Sequence, residues 1–525
     1  MELKSVHQKV NSIALKTPDK VAVQWGKDQV TYNELEERSN QIAHFFKNRE
    51  KKVTNIPVLL GNSIALIETI LGIMKAGSIF APIDPELPED RIKMMLGQID
   101  ADWVVVHPDW LSKLDQMMAT ENRNLNVLVV EEWEEVEYNN IKVFKIEPKI
   151  YNNCPTYNEV LNKHCYIYFT SGSTGTPKAI LGRHRSLKHF IDWEIKEFKV
   201  DESFRVSNLI APSFDPFLRD IFVPLCAGAT LYIPENRDII LYPDRLIKWI
   251  DENEITLIHI VPTVFKSMVS GLDNNCYFDK LKYILLAGEK LRGNDIKKFI
   301  ELYDDEVELV NLYGPTETTL AKVFHRIETS DVDKTSVPVG KPIPGAQVMI
   351  LNEDMESCVK GTIGEIYIRT PYITSGYYNN VELAKKVFIR NPFSNNSRDI
   401  IYKTGDLGRI NGNGDLEILG RVDHQIKLRG MRVELGEIES HLLDFDQIDE
   451  AVVTAKEDDN NNQYLCAYLI SETTLEPDQL KVKLLDILPD YMIPSYFIQL
   501  DEIPLNQNGK VDWKALPEPE LGIGV

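Results

Sequence analysis

The chain of 525 residues has no two cysteines at metal-ligand or redox spacing; Cys154, Cys165, Cys226, Cys276, Cys358 and Cys466 stand singly. That scatter excludes a C-x-x-C zinc site and argues against a disulfide frame, which points to a reducing compartment. Positive charge is also short. Lys and Arg number 58 against 80 Asp and Glu, a formal net charge of −22, the opposite of the basic face on which nucleic-acid binding depends. No run of about 18 apolar residues occurs, so no membrane-spanning helix is expected. Met1-Glu-Leu-Lys-Ser5 opens without the apolar core of a secretory leader. The expectation is a cytoplasmic protein that binds neither nucleic acid nor membrane. No internal repeat stands out. What remains is ordinarily globular, 43% hydrophobic with 27 prolines, and a prior of about 150 residues per domain divides it into three or four compact units.

Strand and helix signals alternate from the start. Val21–Trp25 reads as a strand, and Thr31-Tyr-Asn-Glu34 is a capping box before a helix carrying Leu35, Ile42, Ala43 and Phe46 on one face. Ile56–Leu60 reads as a strand, Ile64–Ala76 as a helix stopped by Gly77, and Ile79–Ile83 as a strand. Trp103–His107 and Asn126–Val130 continue the pattern, which predicts a parallel sheet covered by helices. From Glu131 to Lys163 the sequence turns acidic and Asn-rich and reads as a surface connection. Alternation resumes with Ile239–Ile250, Leu257–Val261, Tyr283–Leu286 and Val307–Leu312, and gives way beyond Gly345 to short strands and turns such as Gly364–Ile368 and Asp415–Leu419. A helix over Gly436–Leu443 and a hairpin turning at Asp458–Asn462 mark a compact tail. The predicted class is α/β: a large N-terminal domain of stacked αβ sheets plus a small β-rich unit over 1–422, then a small mobile α+β domain over 423–525.

One stretch interrupts a buried strand. After Cys165–Phe169 comes Thr170-Ser171-Gly172-Ser173-Thr174-Gly175, closed by Lys178. Glycines let backbone N–H groups approach an anion, hydroxyls add donors, and the lysine adds a point charge. The loop is a phosphate cradle in outline. Proline, not glycine, precedes Lys178, so it is not the G-x-x-x-x-G-K-[ST] loop of P-loop NTPases. By itself it reads equally as a small polar turn.

Its company in the chain decides. In order stand Thr31-Tyr-Asn-Glu-Leu35, Lys75-Ala-Gly77 with Pro82-Ile-Asp84, Thr170–Lys178, Phe214-Asp215, and Asn311-Leu-Tyr-Gly-Pro-Thr-Glu317. Gly364–Ile368, Tyr402-Lys-Thr-Gly-Asp-Leu407, Gly420-Arg-Val-Asp through Glu439, Leu488-Pro-Asp-Tyr-Met-Ile-Pro494 and Asn508-Gly-Lys-Val-Asp512 follow. The series resembles the ANL superfamily of adenylate-forming enzymes, most closely the amino-acid adenylation domains of nonribosomal peptide synthetases, over nearly the whole chain. The resemblance implies ATP and Mg²⁺ as cofactors, an amino-acid substrate, and a phosphopantetheinylated carrier protein as partner. It assigns Thr170, Ser171, Gly172, Ser173, Thr174, Gly175 and Lys178 to the phosphates, Glu317 to magnesium, and Thr316 to a phosphate oxygen. Tyr313 offers its face to adenine with Asn311 as polar edge, Asp406 accepts the ribose hydroxyls with Arg421 assisting, and Asp423 matches the hinge. Lys510 resembles the lysine that bridges the substrate carboxylate and ATP. Ala179, Trp513 and Thr370–Thr374 depart from the family pattern without touching these positions. No His-His pair of a condensation domain and no carrier serine motif occurs, so the thiol acceptor is expected in trans or from sequence beyond this chain. An acyl- or aryl-CoA ligase of the same superfamily is the alternative.

The resemblance also places a substrate pocket at Phe214, Asp215, Pro216, Arg219, His259, Leu285, Ala287, Leu312, Leu320 and Ala321. Asp215 is where the family usually pairs the α-amino group. An arginine among apolar neighbours is costly unless it meets an anion, and a carboxylate is its natural bidentate partner. The expected substrate is therefore acidic and glutamate-like. The competing reading pairs Arg219 with Asp220 or Asp215 as scaffold, leaving a neutral side chain such as that of citrulline or glutamine as the ligand.

Overall fold

The computed structural model describes residues 4–49, 52–131, 136–146, 161–172, 175–272, 278–303, 306–423, 425–458, 462–504 and 511–519. These fall into two compact units. One comprises Met1–Pro85, Leu96–Phe169 and Ala179–Val422; the other comprises Glu86–Met95, Thr170–Lys178 and Asp423–Val525.

Three sheets build the first unit. In the seven-stranded sheet, Asn55–Leu59 lies between Ile79–Pro82 and Trp103–Val106, all parallel. The edge holds a surprise: Ile141–Lys145, inside the stretch read as a surface connection, pairs in parallel with Leu125–Val129. Its signal is hidden because lysines at two of its five positions, Lys142 and Lys145, break the apolar run, as suits an edge strand. The nine-stranded sheet runs through Glu308–Tyr313, Tyr283–Ala287, Leu257–Ile260, Arg205–Ser207 and Thr230–Ile233. The early strand Val21–Trp25 joins it in parallel beside Thr230–Ile233, some two hundred residues later. A third, antiparallel sheet contains Gln347–Leu351, Gly364–Arg369 and the long strand Ile400–Ile410.

Strand alternation splits the nine-stranded sheet into two faces. Ile258, Ile260, Ile284, Leu286 and Leu309 belong to one core cluster, while Leu257, Leu285, Val310 and Leu312 belong to another. Helices His184–Glu197 and Phe217–Ala227 add Leu187, Phe190, Leu218, Ile221 and Phe222 to the second cluster. Neither helix is flagged by the expected signals. The second contains Pro224 in its interior, which ordinarily marks a break. The amphipathic stretch from Ile239 is two helices, Asp238–Leu241 and Pro243–Glu252, because Pro243 begins the second.

The helix over Tyr32–Lys47 begins as its sequence dictates: Thr31 accepts from the backbone of Glu34, and Glu34 reaches back to Thr31. Gly77 closes the Ile64–Ala76 helix in the left-handed region at φ 75°. Lys75, near that helix's end, is 1% exposed. Its Nζ lies 2.8 Å from Glu36 Oε2 and donates to Ser39 Oγ at 2.7 Å and to Asn40 Oδ1 at 3.0 Å. This ammonium ties the two helices through their core-facing sides.

The second unit contains the antiparallel pair Glu450–Glu457 and Gln463–Ile470, with Tyr496–Gln499 added in parallel. The helix Leu435–Leu443 contributes Leu435, Ile438 and Leu442 to its core. Lys75→Ala is expected to lower the urea midpoint of unfolding by the equivalent of about 3–5 kcal/mol, the usual cost of removing one partner from a buried pair, with Lys47→Ala as a surface control near zero.

Candidate functional site

In the first unit, the predicted pocket residues converge on one sheet face. His259 stands opposite Leu285, and Ala287 opposite Leu312, on three neighbouring parallel strands. Residues two apart share a face, so His259, Leu285, Ala287 and Leu312 line up together. Leu285, Leu312, Leu320 and Ala321 are buried. Phe214 and Asp215 lie just ahead of the Phe217–Ala227 helix, where Pro216 is the residue before its first turn.

The turn after Tyr313 shapes the remaining wall. Thr319 and Leu320 both take left-handed backbone angles, φ 69° and 58°, which side-chain-bearing residues avoid and which cost of order 1–3 kcal/mol each. A Cβ at Gly314 would sit 2.3 Å from the Leu320 carbonyl oxygen and 2.8 Å from the Lys322 nitrogen. Glycine there lets the strained segment lie against the strand end. Lys322, absent from the sequence-based site, is fully buried and donates to the carbonyls of Thr319 and Ala321. Burial pushes its pKa down to about 7, with Asp215 pulling the other way.

Around this wall sits a buried set of charges. Asp215 Oδ1 accepts from Thr316 Oγ1 at 2.7 Å, and burial raises its pKa while Thr316 and Arg219 hold it back. Asp220 Oδ2 accepts from the backbone of Leu209 at 3.2 Å and Ile210 at 3.4 Å. Its Oδ1 lies 2.9 Å from His259 Nδ1, and His259 Nε2 meets Glu194 Oε1 at 2.8 Å. Both carboxylates available as scaffold partners take their hydrogen bonds elsewhere, and Arg219 reaches them only through its field, which lowers each pKa against the effect of burial. Arg219 is 3% exposed, its Nε has no hydrogen-bond partner, and the structure gives it no ion pair among the described residues. Tyr168 is likewise buried with its hydroxyl unpartnered among the described residues. Burial, then Asp215, raises its pKa. Tyr168 lies in an apolar strand and Glu194 sits between Trp193 and Ile195 in an amphipathic helix that carries many other charges, so nothing in the sequence singled them out.

A second group assembles at the other sheet. Tyr313, 5% exposed, donates to Asp406 Oδ2, and Arg421 pairs with Asp406 Oδ1 across adjacent antiparallel strands. Asn311 donates through Nδ2 to the Pro338 carbonyl at 3.1 Å, while its Oδ1 is buried with no partner among the described residues. That amide oxygen is an acceptor held ready for an external N–H donor. Glu317 is fully buried, and its Oε1 accepts from the Tyr377 hydroxyl at 2.7 Å. Among the described residues no group of three or more His, Cys, Asp or Glu could hold a metal. A lone oriented carboxylate suits a magnesium ion that takes its other ligands from phosphates and water.

Within the second unit, the Thr170–Lys178 loop is held by carboxylates. Lys178 Nζ lies 2.6 Å from Glu434 Oε1, and the Gly172 N–H donates to Glu437 Oε2 at 3.2 Å. Ser171 Oγ donates to the Arg432 carbonyl at 2.8 Å, and Arg91 pairs with Glu437 at 2.8 Å. A Cβ at Gly172 would stand 2.0 Å from the Thr176 carbonyl oxygen, so only glycine permits the loop's close return. Thr170 Oγ1 is buried without a partner among the described residues. Gly175 has φ 75°. Ser173, Thr174 and Lys510 lie outside the described residues, and Asp423 begins the second unit's last segment.

Residues 11–378 match the family described as AMP-binding enzyme, and residues 437–510 match the AMP-binding enzyme C-terminal domain. Bacitracin synthase 3 of Bacillus licheniformis is 35% identical over 523 residues, 99% of this chain. The chain spans only 8% of that relative's length. Among solved structures, the fold is similar to the Vibrio cholerae adenylation domain AlmE in complex with glycyl-adenosine-5'-phosphate. There the TM-score is 0.84, with 22% identity and 97% of each chain covered. The artificially fused Adenylation-PCP di-domain NpsA-ThdA from Klebsiella oxytoca gives a TM-score of 0.79 at 22% identity, covering 95% of this chain and 94% of that one. No helix among the described residues is long and apolar enough to cross a membrane.

The buried Lys322 predicts a pH signature. Its folded pKa lies below the unfolded value, so between pH about 7 and 10 the unfolded chain binds more protons, and stability rises with pH across that window. Below pH about 7 both states are protonated and the burial cost is felt in full. Relative to Lys322→Met, the parent should therefore gain stability as pH rises from about 7 to 10, whatever the offset set by the lost hydrogen bonds to Thr319 and Ala321. Melting temperatures of both proteins across that range check it.

Proposed function

Because the chain belongs to the AMP-binding enzyme family, and is thereby an adenylate-forming ligase, we propose that it activates an acidic amino acid, glutamate first, as the aminoacyl-adenylate. The observation that carries the substrate reading is the buried Arg219 guanidinium, which makes no ion pair with a carboxylate among the described residues. A charge in that state is costly unless a ligand completes it. A carboxylate meets it with two parallel hydrogen bonds. Asp215, near the first turn of the same helix, is assigned the substrate's ammonium.

The chemistry asks little of proton transfer. A carboxylate with a pKa of about 4 is ionised at neutral pH, so it attacks the α-phosphate without a general base. The chain's work is to bring two anions together and to neutralise charge as pyrophosphate leaves. Asn311 Oδ1 is assigned the adenine amino group, Tyr313 the adenine face, and Asp406 with Arg421 the ribose hydroxyls. The Thr170–Lys178 loop is assigned the phosphates, Thr316 a phosphate oxygen, and Lys510 the bridge between carboxylate and nucleotide. Glu317, oriented by Tyr377, would hold Mg²⁺, which supplies neutralisation of the phosphate charge when bound.

The thiol acceptor we propose is the phosphopantetheine arm of a carrier protein, supplied in trans or by sequence adjoining this chain. The relatives support this: one is a peptide synthase, and one of the similar folds is an adenylation–carrier fusion. A cytoplasmic setting, a 1–422 core and a 423–525 mobile domain hinged at Asp423 complete the reading.

Amino-acid-dependent exchange of pyrophosphate into ATP tests it, over a panel of glutamate, aspartate, aminoadipate, citrulline, glutamine and apolar controls. Exchange concentrated on the acidic members is the expected result, and exchange with apolar members alone would discard the pocket reading. Arg219→Ala should lower kcat/KM for the acidic substrate roughly a hundredfold, the scale of truncating one partner of a desolvated charge pair, with little effect on any neutral substrate. Asp406→Asn should raise the KM for ATP while leaving the amino-acid profile unchanged.

A further inference from the structure

The Arg219 guanidinium is followed in the chain by a carboxylate, Asp220, that is fully buried in the same helix. An adjacent buried anion would ordinarily be drawn to the nearest cation, because Coulomb attraction grows as the surroundings lose water. Here it is not. Asp220 spends one oxygen on two backbone N–H groups and faces His259 with the other at 2.9 Å. His259 in turn is held from its far side by Glu194, an interior residue of the His184–Glu197 helix, at 2.8 Å. All three side chains are fully buried.

We propose that Glu194 is a specificity-positioning residue: through His259 it keeps Asp220 engaged away from Arg219, so that the guanidinium stays available to the substrate's second carboxylate. This rests on the reading of Arg219 given above. The line Glu194–His259–Asp220 has two carboxylates around one imidazole, an arrangement that favours the charged ring. Burial opposes that charge, but Glu194 and Asp220 outweigh it, and the His259 pKa is raised. With His259 charged, Asp220 has its own cation. Were Glu194 neutral, the imidazolium would lose one of its two anions, and the ring would give up its proton more readily. Asp220 would then be a buried anion whose nearest remaining cation is Arg219, one residue away. A stronger pull between the two, which already interact electrostatically, would turn a substrate-reading arginine toward a structural role. No residue at position 194 needs to touch the substrate for this to hold.

The test is a double-mutant cycle in the exchange assay, reading KM and kcat for glutamate and for glutamine, with ATP saturating. Glu194→Gln keeps the shape of the side chain and removes its charge. It should raise the KM for glutamate by about tenfold or more, the scale of one hydrogen bond to a charged group, while kcat and the glutamine parameters change little. Adding Asp220→Asn removes the competing anion, so Glu194→Gln/Asp220→Asn should recover much of the glutamate preference. A purely structural role for Glu194 predicts the reverse, a double variant worse than the single one on both substrates. Glu194→Ala, which removes the same carboxylate from a residue outside the substrate pocket, serves as a second break in the line and should raise the KM for glutamate as Glu194→Gln does. An unchanged glutamate KM in both single variants, or failure of Asp220→Asn to restore it, overturns the proposal. Arg219→Ala in the same panel separates the two readings. If it abolishes acidic preference while Glu194→Gln does not, only the positioning role fails. If it leaves the preference intact, the reading of Arg219 itself fails.

Discussion

A guanidinium cannot be taken out of water without some account of its charge, and Arg219, though it acts at a distance on Asp215 and Asp220, has no ion pair among the described residues. The surrounding architecture makes this possible. Three parallel strands present His259, Leu285, Ala287 and Leu312 on one face. The helix carrying Arg219 and Asp220 packs its apolar side into the same core cluster. Each carboxylate that could quench the arginine is given other work: Asp215 by the Thr316 hydroxyl, Asp220 by His259 and two backbone N–H groups. Charge in this interior is largely sorted among neighbours, and the Arg219 guanidinium, with no ion pair among the described residues, is the group on which the proposed substrate reading rests.

The turn that closes the pocket shows how backbone strain serves the same end. Thr319 and Leu320 hold angles that neither residue prefers. They are kept there by Gly314 beneath them and by Lys322, whose ammonium gathers the carbonyls of Thr319 and Ala321. A buried lysine is an expensive clamp, and its lowered pKa records the expense. Strain of this kind persists only where the surroundings over-determine it. The strand end, the adjoining antiparallel strand Val323–Arg326 and the interior lysine together do so.

Local signals in the sequence were sufficient for much of the large unit. The Thr31–Glu34 box, Gly77 and the apolar strands each act within a few residues, and the helix start, helix stop and parallel pairings follow them. Long-range pairing was another matter. Nothing near Val21–Trp25 announces that it lies beside Thr230–Ile233. A charged edge strand such as Ile141–Lys145 carries no periodicity to detect. Of the residues that the ordered motifs proposed, Arg219 lies in the helix Phe217–Ala227, Asn311 and Tyr313 on the strand Glu308–Tyr313, Glu317 in the turn after it, and Asp406 on the strand Ile400–Ile410. Glu194, Tyr168 and Lys322 escaped notice because each stands among apolar residues whose pattern already accounts for the element. Their chemistry arises only when separate elements meet.

The glycine-rich loop of the second unit has a further consequence. Its lysine is neutralised by Glu434, and one of its backbone donors by Glu437, so the cradle is furnished with internal anions at the positions where an external one would bind. Entry of a phosphate there is then an exchange of anions rather than the filling of an empty site. The net affinity is a difference between two sets of charge-assisted hydrogen bonds. Glu437, fully buried and shared with Arg91, is the costlier of the two carboxylates to release, since its departure also leaves an arginine unpaired. On the proposed reading of this loop, such a cradle would discriminate by strength: a weak anion would not displace the resident carboxylates, whereas a polyphosphate, with several oxygens acting at once, would.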